Sequence, residues 1–334
     1  MKEVILAIET SCDDTSAAIA IDGIVKSNII ISQGVHSKHG GVVPEISSRE
    51  HLKNIILVVK EALRSAKIQK NDLNAISFTV GPGLLGSLLV GCSFAKSLSF
   101  ALNIPLIGVD HMKAHVLSNF IDEPIPNFPF ICLTVSGGHT QLVLVKDFLN
   151  MDIIGETLDD AVGEAFDKSA KILGIEYPGG PIIDKISKNG DPLKYKFSKP
   201  RISDLNFSFS GIKTSILYFV KSEMEKDPMF VEKNLNDIAA SIQYSLVEIL
   251  KEKLIKAANK YKISNIAIAG GVSANSLLRK EIDKLKSIYN WKTFIPKTEY
   301  CTDNAAMIAI AAHYYIKEKI FDDINICPNP RLNF

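Results

Sequence analysis

Two histidines four residues apart carry the clearest chemistry in this 334-residue chain: His111 and His115, in Val109-Asp110-His111-Met112-Lys113-Ala114-His115-Val116-Leu117. On a helix, residues i and i+4 share one face about a turn apart, so two imidazole nitrogens can converge on one ion. The same spacing suits two ordinary histidines on a half-buried face, and a bare His-x-x-x-His does not choose between them. Two further stretches concentrate hydroxyls, carboxylates and glycine. One is Glu9-Thr10-Ser11-Cys12-Asp13-Asp14-Thr15-Ser16; the other is Ser136-Gly137-Gly138-His139-Thr140.

The elements that must position these groups are legible around them. Ile104 to Val109 reads as a short buried strand, and the histidine pair opens the helix after it. Residues 4–8 and 17–21 are apolar and β-prone and flank the first polar stretch; 130–135 and 141–145 flank the second. Two strand-turn-strand units with polar tips point to a duplicated α/β lobe. Three prolines between Asp122 and Pro129 make a hinge between the halves. Apolar residues at Leu52, Ile55, Ile56, Val59 and Leu63 predict a helix over 51–66 with that face inward.

A strand at 75–80, the Gly81-Pro82-Gly83-Leu84-Leu85-Gly86-Ser87 loop and a helix to about Leu102 could bind an anion, or simply pack tightly. In the second half a helix is expected over 157–173, with Leu158 on its apolar side and Asp160, Glu164 and Asp167 as an acidic stripe. Such a stripe is a solvated face or a ligand edge. Gly179-Gly180 between Pro178 and Pro181 makes a stiff turn that exposes backbone and starts a helix. Lys185 to Arg201 is basic with Tyr195 and Phe197 interleaved, which fits either an RNA contact or a solvated loop. A late strand at 263–269 runs into Gly270-Gly271-Val272-Ser273-Ala274-Asn275, where small residues let a flat ligand lie against the backbone. Thr302 or Asp303 is placed to cap the helix that begins at Ala305.

Composition excludes some classes. A net charge of +1 leaves no global nucleic-acid or membrane footprint, and five scattered cysteines without a Cys-x-x-Cys pair suit a reducing compartment. The longest apolar stretch, Leu84 to Ala95, is broken by Gly86 and Gly91 and stopped by Lys96, too short to span a bilayer. A soluble cytoplasmic protein with no membrane role is expected.

The ordered motifs go further than the fold. Ile8-Glu9-Thr10-Ser11-Cys12-Asp13-Asp14-Thr15, His39-Gly40-Gly41-Val42-Val43-Pro44-Glu45, Gly81-Pro82-Gly83-Leu84 and Val135-Ser136-Gly137-Gly138-His139-Thr140 are followed by Gly163-Glu164-Ala165-Phe166-Asp167-Lys168. Then come Tyr177-Pro178-Gly179-Gly180-Pro181, Phe207-Ser208-Phe209-Ser210-Gly211-Ile212-Lys213-Thr214, Ala269 to Asn275 and Cys301-Thr302-Asp303-Asn304. Across essentially its whole length the chain resembles the bacterial TsaD (Gcp) family of threonylcarbamoyltransferases.

The resemblance implies a duplicated actin-like, sugar-kinase and Hsp70-type ATPase fold with two lobes around a nucleotide cleft. The first lobe would span 1–128, joined by the C-terminal 303–334, and the second 129–302. It implies transfer of threonylcarbamoyl from threonylcarbamoyl-adenylate to N6 of adenosine 37, in tRNAs reading codons that begin with A, with loss of AMP. By similarity His111, His115 and Asp303 are ligands of Fe(II) or Zn(II), an open two-histidine, one-carboxylate set that could also take the acyl oxygens. Substrate contacts carry over to Thr134, Val135, Ser136, Gly137, Gly138, Asp167, Gly180, Asp184 and Asn275. Asp13 is a candidate for organising the reacting end. Implied partners are the tRNA anticodon loop, a TsaB-like inactive paralogue, a TsaE-like ATPase and a TsaC-type enzyme that supplies the adenylate.

Other readings can be weighed on residues. A zinc protease needs a glutamate directly after the first histidine, and that position is Met112. A small-molecule kinase of the same fold has no use for the His-His-Asp trio, and a degenerate scaffold needs neither the trio nor the glycine turns. The family pattern is broken at Lys113-Ala114, where Glu-Gly is usual. Alanine favours the helix, and Lys113 reverses a charge beside the pair but points away from the ligand face, so the site is expected to survive.

Overall fold

A computed structural model of the chain describes residues 2–200 and 202–334. The chain divides into two compact units, Met1–Ile125 with Pro296–Phe334, and Pro126–Ile295. The changeovers fall a few residues before the expected 128/129 and 302/303, so the whole approach to Asp303 belongs to the first unit.

In the first unit β1 (Val4–Glu9), β2 (Asp14–Ile21) and β3 (Ile24–Ser32) form an antiparallel meander. Helix α1 (Pro44–Ala66) then leads to β4 (Ala75–Gly81), and α2 (Leu85–Leu102) leads to β5 (Leu106–Asp110). The sheet order is β3-β2-β1-β4-β5, with β4 parallel to both β1 and β5. Helix α3 (His111–Leu117) follows β5 with no linker.

The second unit repeats the plan. Strands β6 (Phe130–Val135), β7 (Thr140–Val145) and β8 (Met151–Glu156) form the meander. Helices α4 (Val162–Ile172), α5 (Gly179–Ser187), α6 (Ser210–Lys226) and α7 (Phe230–Tyr261) lead to β9 (Asn265–Ala269), α8 (Ser276–Tyr289) and β10 (Lys292–Phe294). Its order, β8-β7-β6-β9-β10, has the same sequence of antiparallel and parallel neighbours. Helix α9 (Ala305–Lys317) belongs to the first unit and packs on β1, β2, β3 and α3. The duplication read from the two polar hairpins is therefore a duplication of whole sheets.

Central strands explain the apolar runs. Every residue of β1 and of β6 is buried, as expected for strands covered on both faces. Helix α9 is buried all round from Ala305 to Ala312, and its alanines let it lie close on the sheet.

Two expected helices start elsewhere, and a third is more apolar than expected. Helix α1 starts at Pro44, a good first-turn residue, and its inner stripe is Ser47, His51, Ile55, Val58, Val59 and Ala62. Leu52 and Ile56 face outward, 64% and 51% exposed. Polar Ser47 and His51 take the inner positions because they donate to the Cys12 carbonyl. Helix α2 ends at Leu102, as expected, but its apolar character continues past Lys96, so its 18 residues are long and apolar enough by composition to cross a membrane. Leu88, Cys92 and Ala95 are buried in the first unit, and the helix packs on α1 and β4, so core packing accounts for its apolarity. Helix α4 begins at Val162 rather than Thr157, leaving Leu158 exposed. Asp160 therefore lies off the helix, bonded to Lys168 at 2.8 Å, and no continuous acidic stripe forms.

Candidate functional site

In the first unit, Asp110 ends β5 and caps α3. Its Oδ1 accepts from the backbone of Met112 at 2.8 Å and of Lys113 at 3.0 Å, which fixes the first helical turn. His111 and His115 then stand a turn apart with ring centroids 4.6 Å from one another. Asp303 completes the group: its Oδ1 lies 3.5 Å from His111 Nε2 and 3.2 Å from His115 Nε2. One ligand atom from each of the three lies within 4.8 Å of the others.

Asp303 is available because it does not cap α9. Asn304 does, accepting from Met307 N at 3.1 Å, while Ala305 N and Ala306 N donate to Ser16 Oγ and Asn28 Oδ1. The cap lies at Asn304, one residue past Asp303 and two past Thr302 where it was expected, and that shift leaves the Asp303 carboxylate to the histidines.

Glu9 was not anticipated as part of this site. It ends β1, fully buried, and accepts at Oε1 from Ser11 N at 2.5 Å and at Oε2 from Thr79 Oγ1. Its Oε2 also lies 3.1 Å from His111 Nδ1, and Ser11 Oγ lies 3.3 Å from the same nitrogen. A glutamate terminating five buried apolar residues was the available signal, but its partners lie 70 and 102 positions away.

The electrostatics follow from this packing. Burial pushes both imidazoles down, but the charges of Glu9 and Asp303 outweigh it at His111 and hold that ring well above its ordinary value. His115 stays below its ordinary value, with burial the dominant cause. Burial pushes Glu9 and Asp303 up, and the His111 cation more than reverses this in both. Nearby, burial and then the charges of Asp303, Asp13 and Glu9 push Asp14 up to about 7. The site therefore gathers negative charge around a place for one cation. Two imidazole nitrogens and a carboxylate oxygen are a fitting donor set for a divalent ion. His115 Nδ1 is buried without a hydrogen-bond partner. Asp13 sits half-buried in the first hairpin tip, its carbonyl accepting from Gln33 N at 3.3 Å.

The second unit holds the other expected residues. Thr134 and Val135 are buried at the end of β6, and Ser136 to His139 make the tip, closed by Ser136 N donating to His139 O at 2.8 Å. A Cβ built on Gly137 or Gly138 meets nothing within 4 Å, so these two leave open space beside exposed backbone. Gly270 differs: its φ is +85° and a Cβ there would lie 2.4 Å from Val135 O.

Asp167 and Gly180 come together, since Asp167 Oδ1 accepts from Gly179 N at 2.8 Å and Gly180 N at 3.2 Å, capping α5. The Gly180 N–H is thus occupied within the unit. Burial pushes the Asp167 carboxyl up, against these two bonds. Asp184 and Asn275 also meet, joined through Gln243 of α7, a residue not singled out from the sequence.

The basic stretch 185–201 has its aromatics inside. Tyr195 and Phe197 pack on Phe219, and Tyr195 also on Phe230. Lys194 pairs with Asp237 at 2.7 Å and Lys199 with Glu252. Neither ring is left as an outward stacking platform, and Arg201 lies outside the described residues.

With this geometry in view, comparison with known proteins is specific. A family model described as tRNA N6-adenosine threonylcarbamoyltransferase, TsaD, matches residues 24–310. A protein of that name from Christiangramia forsetii is 57% identical over 333 residues, 99% of this chain and 98% of the relative. One from Cytophaga hutchinsonii is 53% identical, covering 99% and 97%, and one from Thermosipho africanus 51% identical, covering 98% and 99%. Among solved structures, full-length HypF in its phosphate- and nucleotide-bound form aligns with TM-score 0.62 at 11% identity, over 96% of this chain and 47% of HypF. Component A of (R)-2-hydroxyglutaryl-CoA dehydratase from Acidaminococcus fermentans aligns with TM-score 0.54 at 16% identity, over 95% and 98%. These two likenesses are of fold, and they agree with the duplicated actin-like ATPase architecture expected from the motifs.

Proposed function

The chain belongs to the TsaD family of tRNA N6-adenosine threonylcarbamoyltransferases, and from that premise we propose how its own residues serve the transfer. The reaction is acyl transfer: N6 of adenosine 37 forms a bond to the carbamoyl carbon of threonylcarbamoyl-adenylate, the carbon–oxygen bond to phosphate breaks, and AMP leaves. The observation that carries this is the relation to TsaD proteins over nearly the full length of both chains.

His111, His115 and Asp303 are the residues that would hold an ion, Fe(II) or Zn(II). Bound there, it supplies Lewis-acid polarisation of the acyl oxygen. Glu9 supports this by accepting the proton of His111 Nδ1, which directs the Nε2 lone pair toward the ion. Thr134 to Gly138, Asp167, Gly180, Asp184 and Asn275 bind the adenylate in this reading. The open flank of Gly137 and Gly138 suits close approach of a phosphate, and the second carboxylate oxygens of Asp167 and Asp184 suit ribose hydroxyls. Asp13 organises the reacting end. No side-chain nucleophile is required, because the amine attacks directly.

The partners in this reading are tRNA, a TsaB-like paralogue, a TsaE-like ATPase and a TsaC-type source of adenylate, in the cytoplasm. Helices α1 and α2 pack together, and Leu52 and Ile56 on one, with Leu85 and Leu89 on the other, are exposed at i, i+4 spacing. That apolar surface suits docking of the paralogue.

The test is reconstitution. The purified chain with its partners should load labelled threonine onto a tRNA reading codons that begin with A, and not onto the same tRNA with adenosine 37 replaced. No incorporation under complete conditions overturns the assignment. Metal content should fall sharply in both His111→Ala and Asp303→Ala; an unchanged stoichiometry removes the residue concerned from the site.

A further inference from the structure

Gln243 is an amide in the apolar middle of α7, among Ala239, Ala240, Ile242, Leu246 and Val247, and only 3% exposed. Its Nε2 donates to Asp184 Oδ1 at 2.9 Å and to Asn275 Oδ1 at 3.3 Å. Exchanging the amide nitrogen and oxygen would set Oε1 against two acceptor oxygens, so the orientation is fixed by its partners. Gln243 Oε1 itself is buried with no partner. A hydrocarbon of the same length would fill this place without stranding an acceptor, so packing alone does not account for an amide here.

The consequence lies in what the two neighbours have left. Asp184 Oδ1 also accepts from Ser276 N at 3.1 Å and Ser276 Oγ at 2.7 Å, so it is saturated. Asn275 Oδ1 also accepts from Leu278 N at 3.0 Å, as cap of α8. Asp184 keeps only Oδ2, an acceptor, and Asn275 keeps only Nδ2, a donor.

We propose that Gln243 is a positioning residue that sets the hydrogen-bonding polarity of the adenylate site. Held by Gln243 together with the Leu278 and Ser276 donors, Asn275 offers donors alone and Asp184 an acceptor alone. The complementary ligand carries a ring-nitrogen acceptor and a hydroxyl donor, as the adenosine part of an adenylate does. This rests on the reading above, in which Asp184 and Asn275 contact the adenylate.

The experiment uses the full chain with its partners and the variants Gln243→Met, similar in length without donors, and Gln243→Glu, similar in shape with acceptors only. Both should raise KM for threonylcarbamoyl-adenylate and Kd for AMP by about tenfold, with kcat changing far less. A positioning role has a second signature, read with 1-, 3- and 7-deaza-AMP. One analogue should bind the native chain more weakly than AMP does, and that deficit should shrink in Gln243→Met, where the Leu278 N–H alone holds the Asn275 amide. A purely structural role would weaken all four ligands alike and leave the deficit in place, which overturns the proposal. Unchanged KM and Kd in either folded variant overturns it as well. If Asn275→Ala and Asp184→Ala also leave AMP binding unchanged, the adenylate-site reading itself fails; if they weaken it while both Gln243 variants do not, only the role of Gln243 falls.

Discussion

Glu9 shows how one residue can decide what its neighbours do. A carboxylate at the end of a buried strand would ordinarily be costly, yet here it takes hydrogen bonds from Ser11 and Thr79 and faces His111 Nδ1. Fixing that ring leaves Nε2 directed at the Asp303 side. Replacing Glu9 by glutamine keeps the shape and removes the charge, and it should weaken metal binding about 10- to 100-fold, as loss of an outer carboxylate commonly does. Competition against a chelator measures it; affinity equal to the native chain would remove Glu9 from the site. Lys113, where the resemblance to the family leads one to expect glutamate, has its Nζ 5.6 Å from the centre of the Phe334 ring. The aromatic face offers that cation a favourable contact. The two histidines were legible because helical spacing is local. Glu9 and Gln243 were not, because what makes each functional is a partner that only folding brings near.

At the scale of elements, the loops before helices carry much of the organisation. Asp159, in the segment expected to be helix, instead accepts from Ser208 Oγ, Phe209 N, Ser210 N and Ser210 Oγ at the start of α6. Burial pushes its carboxyl up, but these bonds outweigh it and leave it below the usual range. A depressed carboxyl contributes stability that is fully present above its unfolded value and is lost as pH falls through the folded one. Asp159→Ala should therefore cost about 1 kcal/mol at neutral pH, a typical cap. In urea titrations the gap from the native chain should close below about pH 4. A gap independent of pH would mean that the hydroxyls and not the charge hold α6.

Glycines separate in the same way. A Cβ on Gly163 would lie 2.5 Å from the Ser136 carbonyl, whereas one on Gly137 meets nothing. Gly163→Ala should lower the melting temperature, and Gly137→Ala should leave it unchanged while raising KM for the adenylate. A Gly137→Ala enzyme with native KM would take that tip out of the binding site. Helix ends were the least legible feature of the sequence. The starts of α4 and α9 are set by contacts with hairpins far away in the chain, Thr140 Oγ1 accepting from Val162 N and Ser16 Oγ from Ala305 N.

For the whole molecule, the repeated sheet order is the main result, and the paired hairpins announced it. The repeats have diverged in what their tips carry: Glu9 and Ser11 lie against the candidate metal group in one, open glycines mark the other. One unit is continuous in sequence and the other is not, since residues 126–295 fall between its two parts. Protein synthesis runs from one end, so the second unit leaves the ribosome entire while the first still lacks α9 and Asp303. Until those last residues emerge, the group of His111, His115 and Asp303 lacks its carboxylate. A nascent chain therefore has every candidate adenylate contact in its second unit before it can complete its candidate metal site, and the order of translation becomes an order of assembly.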